Sequence, residues 1–202
     1  NGMDVEGLLR SASAAMHQAR STGGSNFLFY NEDMEAADQD DIKLESELRK
    51  AIDRNQLSLH YQPQVDTTDG SIICAEALLR WEHPEFGQVS PARFIHLAEK
   101  IGLIGELGDW VLVEVCRQMK EFERQGLKLP RIAINISPQQ FKPAFATRLS
   151  EVLLSANLSP SMLELGLSEV VLIDNDNNVR KFLQELKKTG VYLSLENFGT
   201  NH

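Results

Sequence analysis

Short apolar runs alternate with amphipathic stretches after residue 56, and this alternation constrains the fold more than any other feature of the chain. In the amphipathic stretches, apolar residues recur every three or four positions, as they do on one face of a helix. The sequence predicts strands at 57–65, 72–81, 131–136, 163–167 and 191–195, and helices at 91–101, 106–125, 144–155 and 176–189. This pattern is typical of a parallel sheet covered by helices, so the predicted fold class is α/β.

The five predicted strands fit part of a TIM-like (β/α) barrel better than a finished open sheet, because polar, ligand-like residues follow the last strand. A complete eight-stranded barrel takes about 250 residues, and the stretch from Leu44 to His202 is shorter than that. An open barrel would expose an edge strand and apolar helix faces. We therefore expect a homo-oligomer or a partner protein to cover the open side.

The first 56 residues have a different texture. Apolar residues from Val5 to Ala19 predict a helix, and residues 26–30 predict a short strand after a Gly-rich break. Residues 32–41 are acidic and predict a solvated linker, after which Leu44 and Leu48 begin a second helix. The expected organisation is an incomplete domain end at 1–31, an acidic linker with a helix at 32–56, and the α/β domain at 57–202.

Charge and cysteine content exclude several classes of function. The chain has 20 Lys and Arg against 29 Asp and Glu, a net charge of −9. No basic surplus exists for DNA or RNA, whereas a small anionic ligand needs only a few cations. Cys74 and Cys116 lack zinc spacing and are expected to be buried thiols in a reducing compartment. No apolar run is long enough for a membrane span. We therefore expect a cytoplasmic chain, and the alternative that it is part of a larger membrane-anchored protein stays open.

Polar residues cluster at the predicted carboxyl ends of the strands, the edge where sites assemble in parallel α/β folds. Carboxylates and an amide oxygen from different strands suit Mg²⁺ or Mn²⁺, and an arginine suits a phosphate. The sequence therefore favours a metal-phosphate site, with capping and surface roles as the alternative. The residues concerned are Glu76, Arg80, Asn135, Glu169, Glu196 and Asn197.

The segment Ala75–Pro84, which reads AEALLRWEHP, resembles the signature of the EAL domain family, whose members are cyclic-di-GMP phosphodiesterases and their inactive relatives. Residues 5–30 resemble the closing helix and strand of a GGDEF diguanylate cyclase domain, without the signature loop of that domain. Further blocks that resemble the EAL family are Tyr61–Pro63, Pro91–Ile95, Gly102–Ile104, Leu107–Leu112, Asn135–Ser137 and Phe198–Thr200.

The resemblance implies a role for each matching position. Glu76, Asn135 and Glu196 would bind Mg²⁺ or Mn²⁺, and Glu196 with Glu169 would serve catalysis, Glu169 by organising a loop over the metal site. Three further residues would contact cyclic-di-GMP, with the arginine on a phosphate. They are Gln62, Leu78 and Arg80.

Three departures from the family pattern weaken the implied chemistry. Gly166 stands where the family has a metal-binding glutamate, and Asn197 is neutral where an aspartate is usual. Glu196 replaces another aspartate with an arm one methylene longer, in a site that tolerates little error. Three hypotheses follow: a catalytically degenerate domain that binds or relays cyclic-di-GMP, a weak metal-dependent phosphodiesterase, and a protein-interaction scaffold that binds no nucleotide.

Overall fold

The computed structural model describes residues 4–21, 27–127, 129–169, 177–196 and 199. The chain divides into two compact units, Asn1–Lys50 and Ala51–His202. Within the described residues, no helix combines the length and apolar character that crossing a membrane requires.

The first unit contains helix α1 (Val5–Ser21) and most of helix α2 (Glu32–Ala51). The carboxylate of Asp4 accepts a hydrogen bond of 2.7 Å from the backbone N–H of Gly7, which satisfies a donor in the first turn of α1. Ala15 of α1 is buried and packs against Tyr30. The predicted strand at 26–30 is wrong for residues 27–30, which form no strand in the described chain, and residue 26 lies outside it.

The acidic segment at 32–41 is helical, so the helix begins earlier than Leu44, and the role of this segment as a linker stays a prediction. The physical reason for the helix is local, because the run from Glu32 to Ala51 contains no Gly or Pro and most of its residues are helix formers such as Glu, Ala, Lys and Leu. The predicted second helix is present as the later part of α2. Its Leu44 and Leu48 are fully buried.

The second unit is built on a sheet in which β2, β4, β5 and β6 run parallel in the order β1-β2-β4-β5-β6. β1 and the short β3 pair antiparallel with β2, so the expectation of a parallel sheet is wrong for these two strands. A turn at 66–70 joins β1 to β2, and so short a connection allows only antiparallel pairing. The strands are β1 (Leu57–Val65), β2 (Ile72–His83), β3 (Gly87–Val89), β4 (Ile132–Ile136), β5 (Leu163–Ser168) and β6 (Tyr192–Glu196).

Four helices of the second unit follow the predicted pattern to within a few residues. They are α3 (Pro91–Lys100), α4 (Ile104–Arg124), α5 (Pro143–Ser155) and α6 (Asn177–Thr189). Gly190 follows α6 with a φ of 91°, the left-handed conformation that ends helices and that glycine adopts without strain. An apolar core joins α4, α5 and α6 to one face of the sheet, with Ile134, Leu149 and Leu165 among its fully buried members.

Candidate functional site at the carboxyl ends of the strands

The face of the sheet opposite this core carries the predicted site residues. Side chains alternate between the two faces of a strand, and Ala77, Ile134 and Leu165 belong to the core. Their neighbours Glu76, Asn135 and Gly166 therefore belong to the opposite face. The parallel register makes Asn135 the partner of Gly166, and Ser168 the partner of Glu196.

Asn135 and Glu196 lie against Gly166, and Glu76 contacts Asn135. The side-chain N–H of Asn135 donates a hydrogen bond of 2.9 Å to Oε1 of Glu76. A Cβ built on Gly166 would lie 2.7 Å from Oδ1 of Asn135 and 2.6 Å from the carboxyl carbon of Glu196. The Glu196 carboxylate thus occupies the space in which a side chain at position 166 would begin.

The electrostatics of this cluster favour a bound cation. Burial raises the pKa of the Glu196 carboxyl, and the negative charges of Glu76 and Glu164 raise that pKa further. A divalent cation would remove this cost by neutralising both carboxylates. Among the described residues, no three His, Cys, Asp or Glu side chains form a metal-binding group. The donor set of two carboxylates and the amide oxygen of Asn135 is of the kind that hard cations such as Mg²⁺ or Mn²⁺ prefer.

A cavity of about 330 Å³ adjoins the cluster, and Leu78, Arg80, Asn135 and Glu196 are among the residues that line it. The guanidinium of Arg80 donates a hydrogen bond of 2.9 Å to the carbonyl of Leu79 and is only half-buried, so its other donors can reach a ligand. The structure therefore brings two predicted dinucleotide contacts and two predicted metal ligands to one cavity.

Gln62 lies on β1, and Glu169 directly follows β5. Gln62 is the register partner of Glu76 across the β1–β2 pair, so the two residues share a face. Glu169 follows β5 and is only 7% exposed. Its Oε2 accepts a hydrogen bond of 2.9 Å from the backbone N–H of Gly199, which ties the end of β5 to the segment after β6. Asn197, the third departure from the family pattern, lies outside the described residues.

Sequence reasoning missed a polar network in the turn after β4. The hydroxyl of Ser137 donates a hydrogen bond of 2.6 Å to Glu99, and the backbone N–H of Ser137 donates one of 3.1 Å to Oε1 of Gln140. Gln140 is buried against Gly108 of α4. The spacing of Ser137 and Gln140 is that of a capping box, a signal that could have predicted their contact but not the contact with Glu99. The network fixes the backbone two residues after Asn135.

Comparison with known proteins identifies the family of the chain. Residues 45–202 match the EAL domain family. The chain belongs to the EAL family. The whole chain is 39% identical to the bifunctional diguanylate cyclase/cyclic di-GMP phosphodiesterase MucR of Pseudomonas aeruginosa and 35% identical to the cyclic di-GMP phosphodiesterase PdeR of Escherichia coli. It covers 30% of the length of each of these two relatives.

Solved EAL domain structures share the fold. The structure of the PaMucR phosphodiesterase in complex with c-di-GMP has a TM-score of 0.74 and 42% identity, over 79% of this chain and 65% of that one. The FimX EAL domain of Xanthomonas citri in complex with c-di-GMP has a TM-score of 0.70 and 26% identity, over 81% of this chain and 63% of that one. The predicted α/β fold of EAL type is confirmed.

Proposed function

We propose that this EAL domain binds cyclic-di-GMP in the cavity at the carboxyl ends of its strands. The observation that carries the proposal is the meeting of Leu78 and Arg80 with Asn135 and Glu196 around one cavity. Two EAL structures to which the chain is similar contain c-di-GMP, which supports this choice of ligand.

Each residue contributes by ordinary chemistry. Arg80 binds a phosphate of the dinucleotide through a charge-assisted, forked pair of hydrogen bonds. Leu78 supplies apolar contact, and Gln62 supplies amide hydrogen bonds from β1. Glu76, Asn135 and Glu196 hold Mg²⁺ or Mn²⁺, and such an ion, when bound, polarises a phosphate ester.

We further propose that hydrolysis by this domain is weak or absent, so that it acts as a receptor or relay. Gly166 offers no carboxylate, and only Glu76 and Glu196 supply acidic oxygens to the cluster within the described residues. A low ligand charge weakens the hold on a divalent cation. The contact of Arg80 with a phosphate does not need that cation. The domain therefore still binds cyclic-di-GMP in this proposal, although its hydrolysis is weak or absent.

A weak metal-dependent phosphodiesterase is the second candidate, and the position of Glu196 favours it. The Glu196 carboxylate lies next to Asn135 rather than away from it. This candidate predicts cleavage of cyclic-di-GMP to the linear dinucleotide in Mn²⁺, and loss of that cleavage in Glu76→Ala. Complete absence of cleavage by a folded sample that binds the nucleotide would refute it.

The deciding experiment is calorimetry of cyclic-di-GMP binding with Ca²⁺ present to suppress turnover. We expect micromolar binding that weakens by about 10- to 100-fold in Arg80→Ala, because a hydrogen bond to a charged group contributes about 1.5–3 kcal/mol. Arg124→Ala is the matched control, since Arg124 is exposed at the end of α4 and pairs with Glu121. No binding by a folded sample, or equal binding by Arg80→Ala, would overturn the proposal.

Two predictions about organisation remain proposals. One is that residues 1–31 are the end of a GGDEF domain. The other is that a second copy or a partner protein covers the open side of the barrel. Sedimentation velocity of the purified chain measures the oligomeric part of this proposal, and a monomer at all concentrations would exclude the homo-oligomer.

A further inference from the structure

Gly166 lies inside β5, where a glycine needs a reason. A glycine within a strand weakens it and often marks a close approach of another group. Gly166 is not among the glycines of the described chain with positive φ, so backbone conformation does not require a glycine there. Space does, because a Cβ would overlap the Glu196 carboxylate and lie 2.7 Å from Oδ1 of Asn135.

The Glu196 side chain reaches this space by folding back along the sheet. Glu196 is the register partner of Ser168, whereas Gly166 is the partner of Ser194, two residues earlier on β6. Two residues along a strand span about 6.6 Å, so a carboxylate on the shorter aspartate arm would stop short of Gly166. Only the longer arm brings the carboxylate level with Asn135, the partner of Gly166 on β4.

We infer that Gly166 and Glu196 form a coupled pair, in which the glycine makes the room and the longer acid fills it with a carboxylate. The inference rests on the proposed metal site and adds Gly166 to it as a positioning residue. Glu76, Asn135 and Glu196 then hold one divalent cation, and a Cβ at position 166 moves the Glu196 carboxylate out of reach of that cation.

Coupling makes a specific statement about variants. In Gly166→Ala the methyl group displaces the Glu196 carboxylate, and Mn²⁺ binding weakens by about 10-fold or more. In Glu196→Asp the carboxylate withdraws, which weakens binding and empties the space over Gly166. Adding Gly166→Ala to Glu196→Asp then meets only Oδ1 of Asn135, so it costs less than in the wild-type chain and the two effects are not additive.

The test is a double-mutant cycle on the full chain, with Mn²⁺ alone as the probe, measured by calorimetry and by the electron paramagnetic resonance signal of free Mn²⁺. Gly105→Ala is the control, because no atom lies within 4 Å of a Cβ built there. We expect unchanged binding in this control and strong coupling in the cycle. Additive losses, or wild-type affinity in Gly166→Ala, would overturn the inference.

Thermal unfolding without metal tests the steric part separately. Gly166→Ala lowers the melting temperature more when residue 196 is Glu than when it is Asp, because only the close approach to Asn135 remains in the second case. An equal shift in both backgrounds refutes the coupling, and a wild-type chain that binds no Mn²⁺ refutes the cation site.

Cyclic-di-GMP binding in EDTA separates these results from the proposed function. It depends on Arg80 and not on the metal, so it persists in the wild-type chain without metal if the nucleotide proposal is right. If the double-mutant cycle shows no coupling in Mn²⁺ binding while the wild-type chain binds cyclic-di-GMP, this inference alone is overturned. Absent nucleotide binding with an intact cycle overturns the proposed function alone.

Discussion

Gly108→Ala changes a helix position where the usual gain from alanine is reversed by a buried neighbour. Gly108 lies in α4, and a Cβ there would overlap Nε2 of Gln140 and lie 3.0 Å from its Cδ. Gln140 is 7% exposed, and its Oε1 accepts the backbone N–H of Ser137 at 3.1 Å. The methyl group forces Gln140 to move, which breaks this hydrogen bond in a buried place.

The magnitude follows from opposing terms. Alanine in place of glycine in a helix interior stabilises by about 1 kcal/mol. A buried group left without its hydrogen bond costs about 1–3 kcal/mol, and overpacking costs about 1–3 kcal/mol more. We expect Gly108→Ala to lower the free energy of unfolding by about 2 kcal/mol. For a chain of this size that lowers the melting temperature by roughly 4–8 °C.

Urea and thermal unfolding measure the effect, with Gly105→Ala as the matched control in the first turn of the same helix. A Cβ at Gly105 meets nothing within 4 Å, so this variant keeps the propensity gain and unfolds at the same or a higher temperature. If Gly108→Ala is as stable as Gly105→Ala, Gln140 moves at no cost and the reasoning is refuted.

Three further predictions concern the core, the loop contact and a buried thiol. Leu149→Ala removes a fully buried side chain of α5, and we expect urea unfolding to show a free energy of unfolding lower by about 2–5 kcal/mol. The control Leu154→Ala, at a position 82% exposed, changes that free energy by no more than about 0.5 kcal/mol. Equal effects would contradict the core assignment. Glu169→Ala removes the acceptor for the Gly199 amide, and hydrogen exchange at that amide accelerates by about tenfold or more; an unchanged rate would show that other contacts hold this segment. Burial raises the pKa of the Cys116 thiol to about 11, so the reactive thiolate is scarce until the pH approaches that value. Iodoacetamide labelling at pH 8, read by mass spectrometry, is expected to be far slower in native than in urea-unfolded protein, and equal rates would refute the burial.

Periodicity predicted much of the second unit because its helices and strands are set locally. The spacing of apolar residues predicted α4 and α5, and Gly190 ended α6 where expected. Residues 27–30 show the limit of local patterns. Apolar residues alone do not make a strand, because the backbone of a strand must pair with another strand. Phe27 and Phe29 are more than 80% exposed and contact each other edge to face.

The candidate site residues at the strand ends could be named from the EAL signature. The contact of Ser137 with Glu99 could not be predicted from sequence alone. Gln140 reaches Ser137 through a local turn, whereas Glu99 lies 38 positions from Ser137 along the chain and only tertiary packing brings it there. The capping-box spacing of Ser137 and Gln140 indicates a turn but does not indicate that a carboxylate from another helix contacts Ser137.

The sequence by itself determined the α/β alternation and the identity of the polar residues at the strand ends, since both are read from local spacing and motif. On that basis Gly166 was a lost carboxylate and Glu196 a misplaced one. The tertiary structure decided that the two changes meet at one point. Gly166 and Glu196 are thirty positions apart and become neighbours only because β5 and β6 pair in parallel. The space that Gly166 leaves is filled by the Glu196 carboxylate, which belongs to the neighbouring strand.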